Sequence, residues 1–433
     1  MLINFTVKNF FSFYNKANLN FAFSPKESIQ FKNNIIFSYM DNGRKKSVLN
    51  SMVIFGSNAS GKSNLLKGIM ALKNLLESGY TNNKVEDIAL EVSPFRFKDN
   101  GDIELSISEI LLKDSKYFVK YDIGIDPIDY RIKYEKLTSR KLLKTRISND
   151  EKVIFERVDQ EIVHADKEIS AVIEQLNVNN NNYKPMLSIV VNNFNSSRKQ
   201  FESTISSWSY QTMIMFYHEV VDNIVIEQNK SVQNKKIAEK LINDSNFKSE
   251  LLNELRNFDF AISDFEVKDI TQSVIANLVS LPESAIETLS RDKVYDIRTL
   301  HNVEGKKFKL VYDQESDGTL RFINQFINIY DCIRNGKTYI CDEFENKYHP
   351  LIQRAIIDMF MNEGIDRRCQ FIFTSHNVDL LNSDIFAKEQ IQFIDKTRKT
   401  QDSELYGLDE FKEVSYSNHN WKNLYMDGRF GAI

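Results

Sequence analysis

The octapeptide Gly56-Ser57-Asn58-Ala59-Ser60-Gly61-Lys62-Ser63 fits the pattern G-x-x-x-x-G-K-[ST] in full, and its flanks constrain the fold more tightly than any other stretch. Before it runs a short apolar segment, Met52-Val53-Ile54-Phe55. After it, Leu65, Leu66, Ile69, Leu72 and Leu75 keep helical spacing from Lys62 to about Leu76. Strand, loop, helix is the order that aims free helix amides at an anion. The glycines let backbone wrap a phosphate, Lys62 neutralises the β and γ oxygens, and the Ser63 hydroxyl holds Mg²⁺. Gly56 through Ser63, together with Asn64, are therefore expected to bind a nucleotide.

The other half of such a site requires a buried strand that ends in carboxylates. Tyr339-Ile340-Cys341-Asp342-Glu343 supplies it, with Asp342 expected to hold Mg²⁺ through water and Glu343 to polarise the attacking water. A further apolar strand, Gln370 to Phe373, runs through Thr374-Ser375 into His376. A histidine at the carboxyl end of a parallel strand is placed to sense a γ-phosphate. The segment Glu315-Ser316-Asp317-Gly318-Thr319 precedes an amphipathic helix and has three readings. It is a helix cap, a poor calcium loop with Asn324 where a glutamate belongs, or a signature in which Ser316 and the Gly318 amide address a γ-phosphate.

Glycine marks the organisation of the chain. All 14 glycines lie at or before Gly124 or at or after Gly305, which argues against a propeller or large sandwich with turn glycines every strand or two. Leu2 to Phe10 opens as a half-buried strand, and residues 92–138 alternate as antiparallel hairpins. Residues 188–260 carry apolar side chains at three- and four-residue steps, without a sustained heptad, and predict helices. The last part returns to strand–helix alternation, with strands near 307–312, 338–341, 370–373 and 391–394 and helices from about Thr319 and Pro350. That alternation indicates a mostly parallel sheet. The expected division is an N-terminal lobe at 1–160, a mainly helical insertion at 161–262 and a C-terminal lobe at 263–433. Basic and acidic residues nearly balance, 56 against 60, so no global charge demands nucleic acid or a membrane. Three scattered cysteines and the lack of a leader or an apolar run long enough for a membrane helix lead us to expect a cytoplasmic protein with no membrane partner.

The order of these motifs resembles the ABC-type ATPases of the SMC, RecF and OLD superfamily. A P-loop near residue 60 is followed by a distant Ser-Asp-Gly-Thr, by Asp342-Glu343-Phe344-Glu345 with His349-Pro350, and by Thr374-Ser375-His376-Asn377. More narrowly it is similar to compact phage-defence ATPases such as RloA, the AbiL-type ATPases and AriA. The opening Asn9-Phe10-Phe11-Ser12-Phe13 and the closing stretch from Tyr425 to Ala432 share that similarity. The resemblance implies an α/β fold of ABC-head type, a mostly parallel sheet plus an antiparallel layer, with ATP and Mg²⁺ as cofactors. It also implies a homodimer with two sandwiched ATP molecules. Ser316 and Gly318 would act across that dimer, with Asp342 and Glu343 as the Walker B pair, His376 as the switch histidine and residues 345–350 as the dimer-facing loop. No glutamine around Pro94-Phe95-Arg96-Phe97 matches the family's Q-loop.

The implied role is an ATP-hydrolysing regulatory subunit of an abortive-infection system that controls a separate effector. A nuclease is one candidate effector, since no Asp-x-Asp pair follows His376. Assembly beyond a dimer is left open. The alternative is a DNA-repair ATPase of SMC or RecF type, with phosphate contacts from Arg140, Lys141 and Lys144; a scaffold that binds nucleotide without turnover is a third reading. Trp208, beside Phe201, Tyr210 and Phe216, is expected to pack in a core or interface rather than stack on bases.

Overall fold

Apolar runs that lack alternation become strands covered on both faces. In the computed structural model these are Ser51–Phe55 (β1), Ile224–Ile226 (β2), Thr338–Cys341 (β3), Gln370–Thr374 (β4) and Ile391–Lys396 (β5), with Ser403–Gly407 (β6) at the edge. They form one sheet in the order β2-β3-β4-β1-β5-β6. Every pair in it is parallel except β5 with β6. Every residue of β1, β3 and β4 is buried. The structure describes all residues except 25–33, 80–90, 99–100, 113–115, 160, 177–181, 197–206, 228–233, 259, 278–292, 347, 413, 415–420 and 433. Phe201 lies outside the described residues.

A ten-stranded, largely antiparallel sheet makes the second layer. Its path runs Ala17–Asn20, Leu2–Lys8, Ile103–Leu111, Tyr117–Ile125, Ile132–Leu143, Arg146–Val158, Ile35–Asp41, Arg44–Leu49 and Ala22–Phe23, with Glu161–Ala165 paired to Arg146–Val158. Helix Lys62–Ser78 (α1) buries Leu65, Leu66, Ile69, Leu72 and Leu75 in the same core as Phe5, Val7 and Ile107. Gly68 sits where a Cβ would fall 2.7 Å from Val7, so the helix packs its backbone directly on the opening strand. A buried amide joins the two sheets. The Leu2 N–H donates to Gln370 Oε1 at 2.7 Å, and Gln370 Nε2 donates back to the Leu2 carbonyl at 2.8 Å.

The compact units cut the chain elsewhere than the boundaries expected from sequence. One unit holds residues 1–226, 332–346 and 357–433; the other holds 227–331 and 347–356. Helices Lys167–Leu176, Met186–Ser196 and Trp208–Val221 therefore belong to the first unit, where Ile169, Met186, Met213 and Phe216 join the core under α1. Tyr210 and Phe216 are buried, while Trp208 is half-buried against Tyr117. The second unit contains helices Asn234–Asn243 and Ser245–Asn257 and an antiparallel sheet of Ile262–Asp269, Tyr295–Val303 and Lys306–Val311. It also takes in most of helix Asp317–Asn335 (α2). Phe247, Phe322, Phe326 and Tyr330 pack as aromatic pairs at its centre.

A charged cluster braces the first unit from inside. Glu135, fully buried, accepts from Arg157 at 2.7 Å, from the Tyr121 hydroxyl at 2.9 Å, and from the Met186 and Leu187 amides at 2.8 and 3.1 Å. It thereby ties three strands to the start of one helix. Glu135→Ala strands a buried guanidinium and is expected to lower the unfolding free energy by about 3–5 kcal/mol in chemical denaturation. A loss below about 1 kcal/mol, the scale of an exposed pair, would show that the cluster is not a brace.

Candidate functional site

The P-loop occupies the turn from β1 into α1. Gly61 is the N-cap of α1 with φ 117°, a conformation open to glycine, and a Cβ there would fall 2.5 Å from the Ser12 hydroxyl and 2.6 Å from that of Ser403. At Gly56 a Cβ would meet the Ile394 carbonyl at 2.3 Å. Ala59 also has positive φ, 62°. No side chain caps α1, and its first turn holds no acid, so the helix presents free amides. Asn64 donates to Ser12 Oγ at 3.0 Å, and the Ser403 amide donates to the Ser12 carbonyl at 2.8 Å. These contacts hold the loop from outside.

Lys62 is buried and folds back on its own loop, donating to the carbonyls of Gly56 at 2.8 Å and Ser57 at 3.0 Å. Burial lowers its pKa, and Asp342, Glu345 and Glu343 oppose that shift. The three acids therefore act on the P-loop lysine, as the parallel register demands. β3 pairs with β4 at Cys341 and Phe373, and β4 pairs with β1 at Thr374 and Ile54, so the strands' carboxyl ends open side by side.

Thr374 is the joint between these ends. Its hydroxyl donates to Asp342 Oδ1 at 2.5 Å and accepts from the Glu343 amide at 2.8 Å. Glu343 has φ 51°, and its exposed carboxylate accepts from Asn346 Nδ2 at 3.0 Å. Glu345 accepts from the His376 amide at 2.7 Å through Oε1, while its buried Oε2 has no hydrogen-bond partner among the described residues. The ring of His376 reaches solvent. The surrounding protein nevertheless lowers its pKa from the usual value, with the Lys62 charge acting the same way and Glu345, Glu343 and Asp342 opposing. Its neutral form is therefore favoured near neutral pH.

The structure thus gathers Gly56 through Asn64, Asp342, Glu343 and His376 in the first unit. Ser316 and Gly318 belong to the second unit. Ser316 Oγ accepts from the Thr319 amide at 3.2 Å and lies 2.8 Å from its hydroxyl, so the cap reading is realised. Gly318 is exposed, and among the described residues a Cβ there would meet only Ser316 Oγ, at 3.9 Å. Packing within the chain does not require glycine at that position. Thr374 and Ser403 were not singled out as site residues from sequence. The polar residue that closes the apolar run of β4 is the signal for Thr374; Ser403 carries no local signal.

Mg²⁺ prefers hard oxygens near octahedral geometry. Among the described residues, the Ser63 hydroxyl and the second carboxylate oxygen of Asp342 accept and donate no hydrogen bond, and both belong to the oxygen class the ion takes. No helix of the described residues is long and apolar enough to cross a membrane.

The family model described as "AAA domain, putative AbiEii toxin, Type IV TA system" matches residues 51–382, from β1 and the P-loop through the Walker B strand to just beyond His376. The chain belongs to this family. The match places the P-loop between β1 and α1 and the acids after β3 within one AAA domain, on an α/β fold whose central sheet is mostly parallel. No curated protein matches the chain. Among solved structures, the SMC head bound to the C-winged helix domain of ScpA shares 11% identity, covering 94% of this chain and 97% of that one, with a TM-score of 0.45. The SMC head domain from Thermotoga maritima shares 11% over 94% and 98%, with a TM-score of 0.35. An Smc head domain with an extended coiled coil, bound to the C-terminal domain of ScpA and derived from Pyrococcus furiosus, shares 11% over 99% of each chain at 0.42.

Because the Lys62 charge disfavours the imidazolium of His376, Lys62→Met is expected to move the His376 titration upward in an NMR pH series. An unmoved or lowered midpoint would separate the two residues electrostatically.

Proposed function

We propose that this chain binds and hydrolyses ATP as an ABC-type head dimer, and that it serves as the regulatory subunit of a prokaryotic antiviral, abortive-infection system. The observation that carries the reading is the row of parallel strand ends that brings the P-loop, Asp342, Glu343 and His376 side by side, with Thr374 bonded to Asp342 and Glu343 and Glu345 bonded to the His376 amide. Gly56 through Asn64 cradle the phosphates, with Lys62 leaving the Gly56 and Ser57 carbonyls for the β and γ oxygens. Ser63 and Asp342 hold Mg²⁺, directly or through water, and the ion neutralises phosphate charge. Glu343 orients and polarises the attacking water. His376, favoured in its neutral form, faces the γ-phosphate as an acceptor or donor without adding repulsion between cations.

In the dimer, Ser316 and Gly318 of one chain close over the nucleotide of the other. The exposure of Ser316, Asp317 and Gly318 supports this, since a segment that acts on a second chain must be accessible to it. The family description, which names an AbiEii toxin and a type IV toxin–antitoxin system, supports the defence role. ATP closure would then set the state of a separately encoded effector, such as a nuclease, in the cytoplasm. Against the DNA-repair alternative, Arg140 pairs with Asp41 at 3.0 Å and lies over the Phe118 ring, so one of three candidate phosphate contacts is already engaged.

Lys62→Ala is expected to reduce phosphate release to background, and Glu343→Gln to lower kcat by about 10²-fold or more while retaining ATP. Light scattering of the Glu343→Gln chain should show a dimer only with ATP and Mg²⁺. Turnover unaffected by Lys62→Ala would overturn the ATPase reading; a monomer at saturating ATP would overturn the sandwich. Salt-sensitive DNA binding lost on replacing Lys141 and Lys144 would instead favour the repair alternative.

A further inference from the structure

One buried polar cluster in the second unit stands outside the motifs above. Glu315, immediately before Ser316, does not point to solvent with its neighbours. Its side chain is 9% exposed and turns back onto the central strand of the antiparallel sheet, Tyr295–Val303. There Oε1 lies 2.7 Å from His301 Nε2, whose side chain is 13% exposed, and accepts from the hydroxyl of the fully buried Thr299. Thr299 and His301 are two residues apart in one strand and so share a face, which lets a single carboxylate oxygen meet both. The Glu315 amide also donates to the Tyr312 carbonyl at 3.1 Å. Ser316, Asp317 and Gly318 are all exposed, and nothing but this anchor and the first turn of α2 fixes their direction among the described residues.

We propose that Glu315, held by Thr299 and His301, is a positioning residue that sets the Ser316–Gly318 loop for the nucleotide of the partner head. The inference rests on the reading that this loop acts across a dimer. Asp317 and Gly318 form the exposed first turn of α2 and Ser316 caps it, so the freedom that remains is in the approach of the chain to that turn, and fixing it at closure costs entropy. Anchoring the residue just before it removes part of that cost in advance, which is preorganisation of a site that only the closed dimer uses. The P-loop has its own supports, at Ser12 and Ser403, so loosening Glu315 leaves nucleotide capture by a single chain intact.

The test compares Glu315→Ala, Glu315→Gln and Ser316→Arg in the full chain, after circular dichroism confirms folding. For Glu315→Ala we expect ATP binding to the single chain, read with a fluorescent ATP analogue, to stay within about twofold of wild type. Its kcat should fall roughly tenfold to a hundredfold, the scale of a misplacement up to about 1 Å, with ATP-dependent dimerisation weakened in parallel. Glu315→Gln keeps a carbonyl acceptor for Thr299 and His301 and should recover most of that loss. A merely structural role would lower Tm without changing the kcat of folded protein, and it would not discriminate between Ala and Gln in dimerisation. If Glu315→Ala dimerises and turns over like wild type while Ser316→Arg does neither, the anchor is refuted and the dimer reading stands. If Ser316→Arg also behaves like wild type, the dimer reading itself has failed, and this inference falls with it.

Discussion

Parallel pairing of β1, β3 and β4 is the constraint on which the P-loop centre depends. The register that sets Cys341 against Phe373 and Thr374 against Ile54 puts three strand ends in one row. The P-loop continues from one, the acids from the second and Ser375-His376 from the third. One hydroxyl then makes the row rigid, because Thr374 bonds both the Asp342 carboxylate and the Glu343 backbone. Side-chain chemistry at this edge follows from backbone hydrogen bonds several residues away, since a slip of one residue would turn every side chain to the opposite face.

The electrostatics follow from the same geometry. Lys62 lies among protein atoms that disfavour its charge, and three carboxylates nearby restore part of it. Lys62 rests on the loop's own Gly56 and Ser57 carbonyls. Buried amides and acids fix the frame around it. Gln370 spans the two sheets, and Glu135 spans strands and helix; in both, the polar atoms are paired, which makes burial tolerable.

Much of this was legible in the sequence. The strands at Thr338–Cys341 and Gln370–Thr374 are short apolar runs that end in polar residues, and the helix after Gly61 keeps its period over four turns, so local pattern and tertiary burial agree. The P-loop glycines are explained by the close approach of Ser12, Ser403 and Ile394. What local pattern does not encode is the partner of each buried face. Helices Met186–Ser196 and Trp208–Val221 fall largely within the stretch whose apolar spacing predicts helices, yet nothing in that spacing says that they pack under α1 rather than in an insertion of their own. The edge between Arg146 and Met40 joins strands about a hundred residues apart in a parallel contact, which no hairpin signal marks. The contacts of Glu345 with His376 and of Glu315 with His301 likewise exist only once distant segments are brought together.

The central claim is that each nucleotide is shared between the P-loop of one chain and the Ser316 loop of another. The most direct test mixes two inactive chains, Lys62→Ala and Ser316→Arg, and measures phosphate release. A shared site predicts that mixing restores activity, because half of the sites in a mixed dimer combine an intact P-loop with an intact Ser316 loop. No recovery on mixing, with both chains folded and associated, would contradict it and place both halves of the chemistry within one chain.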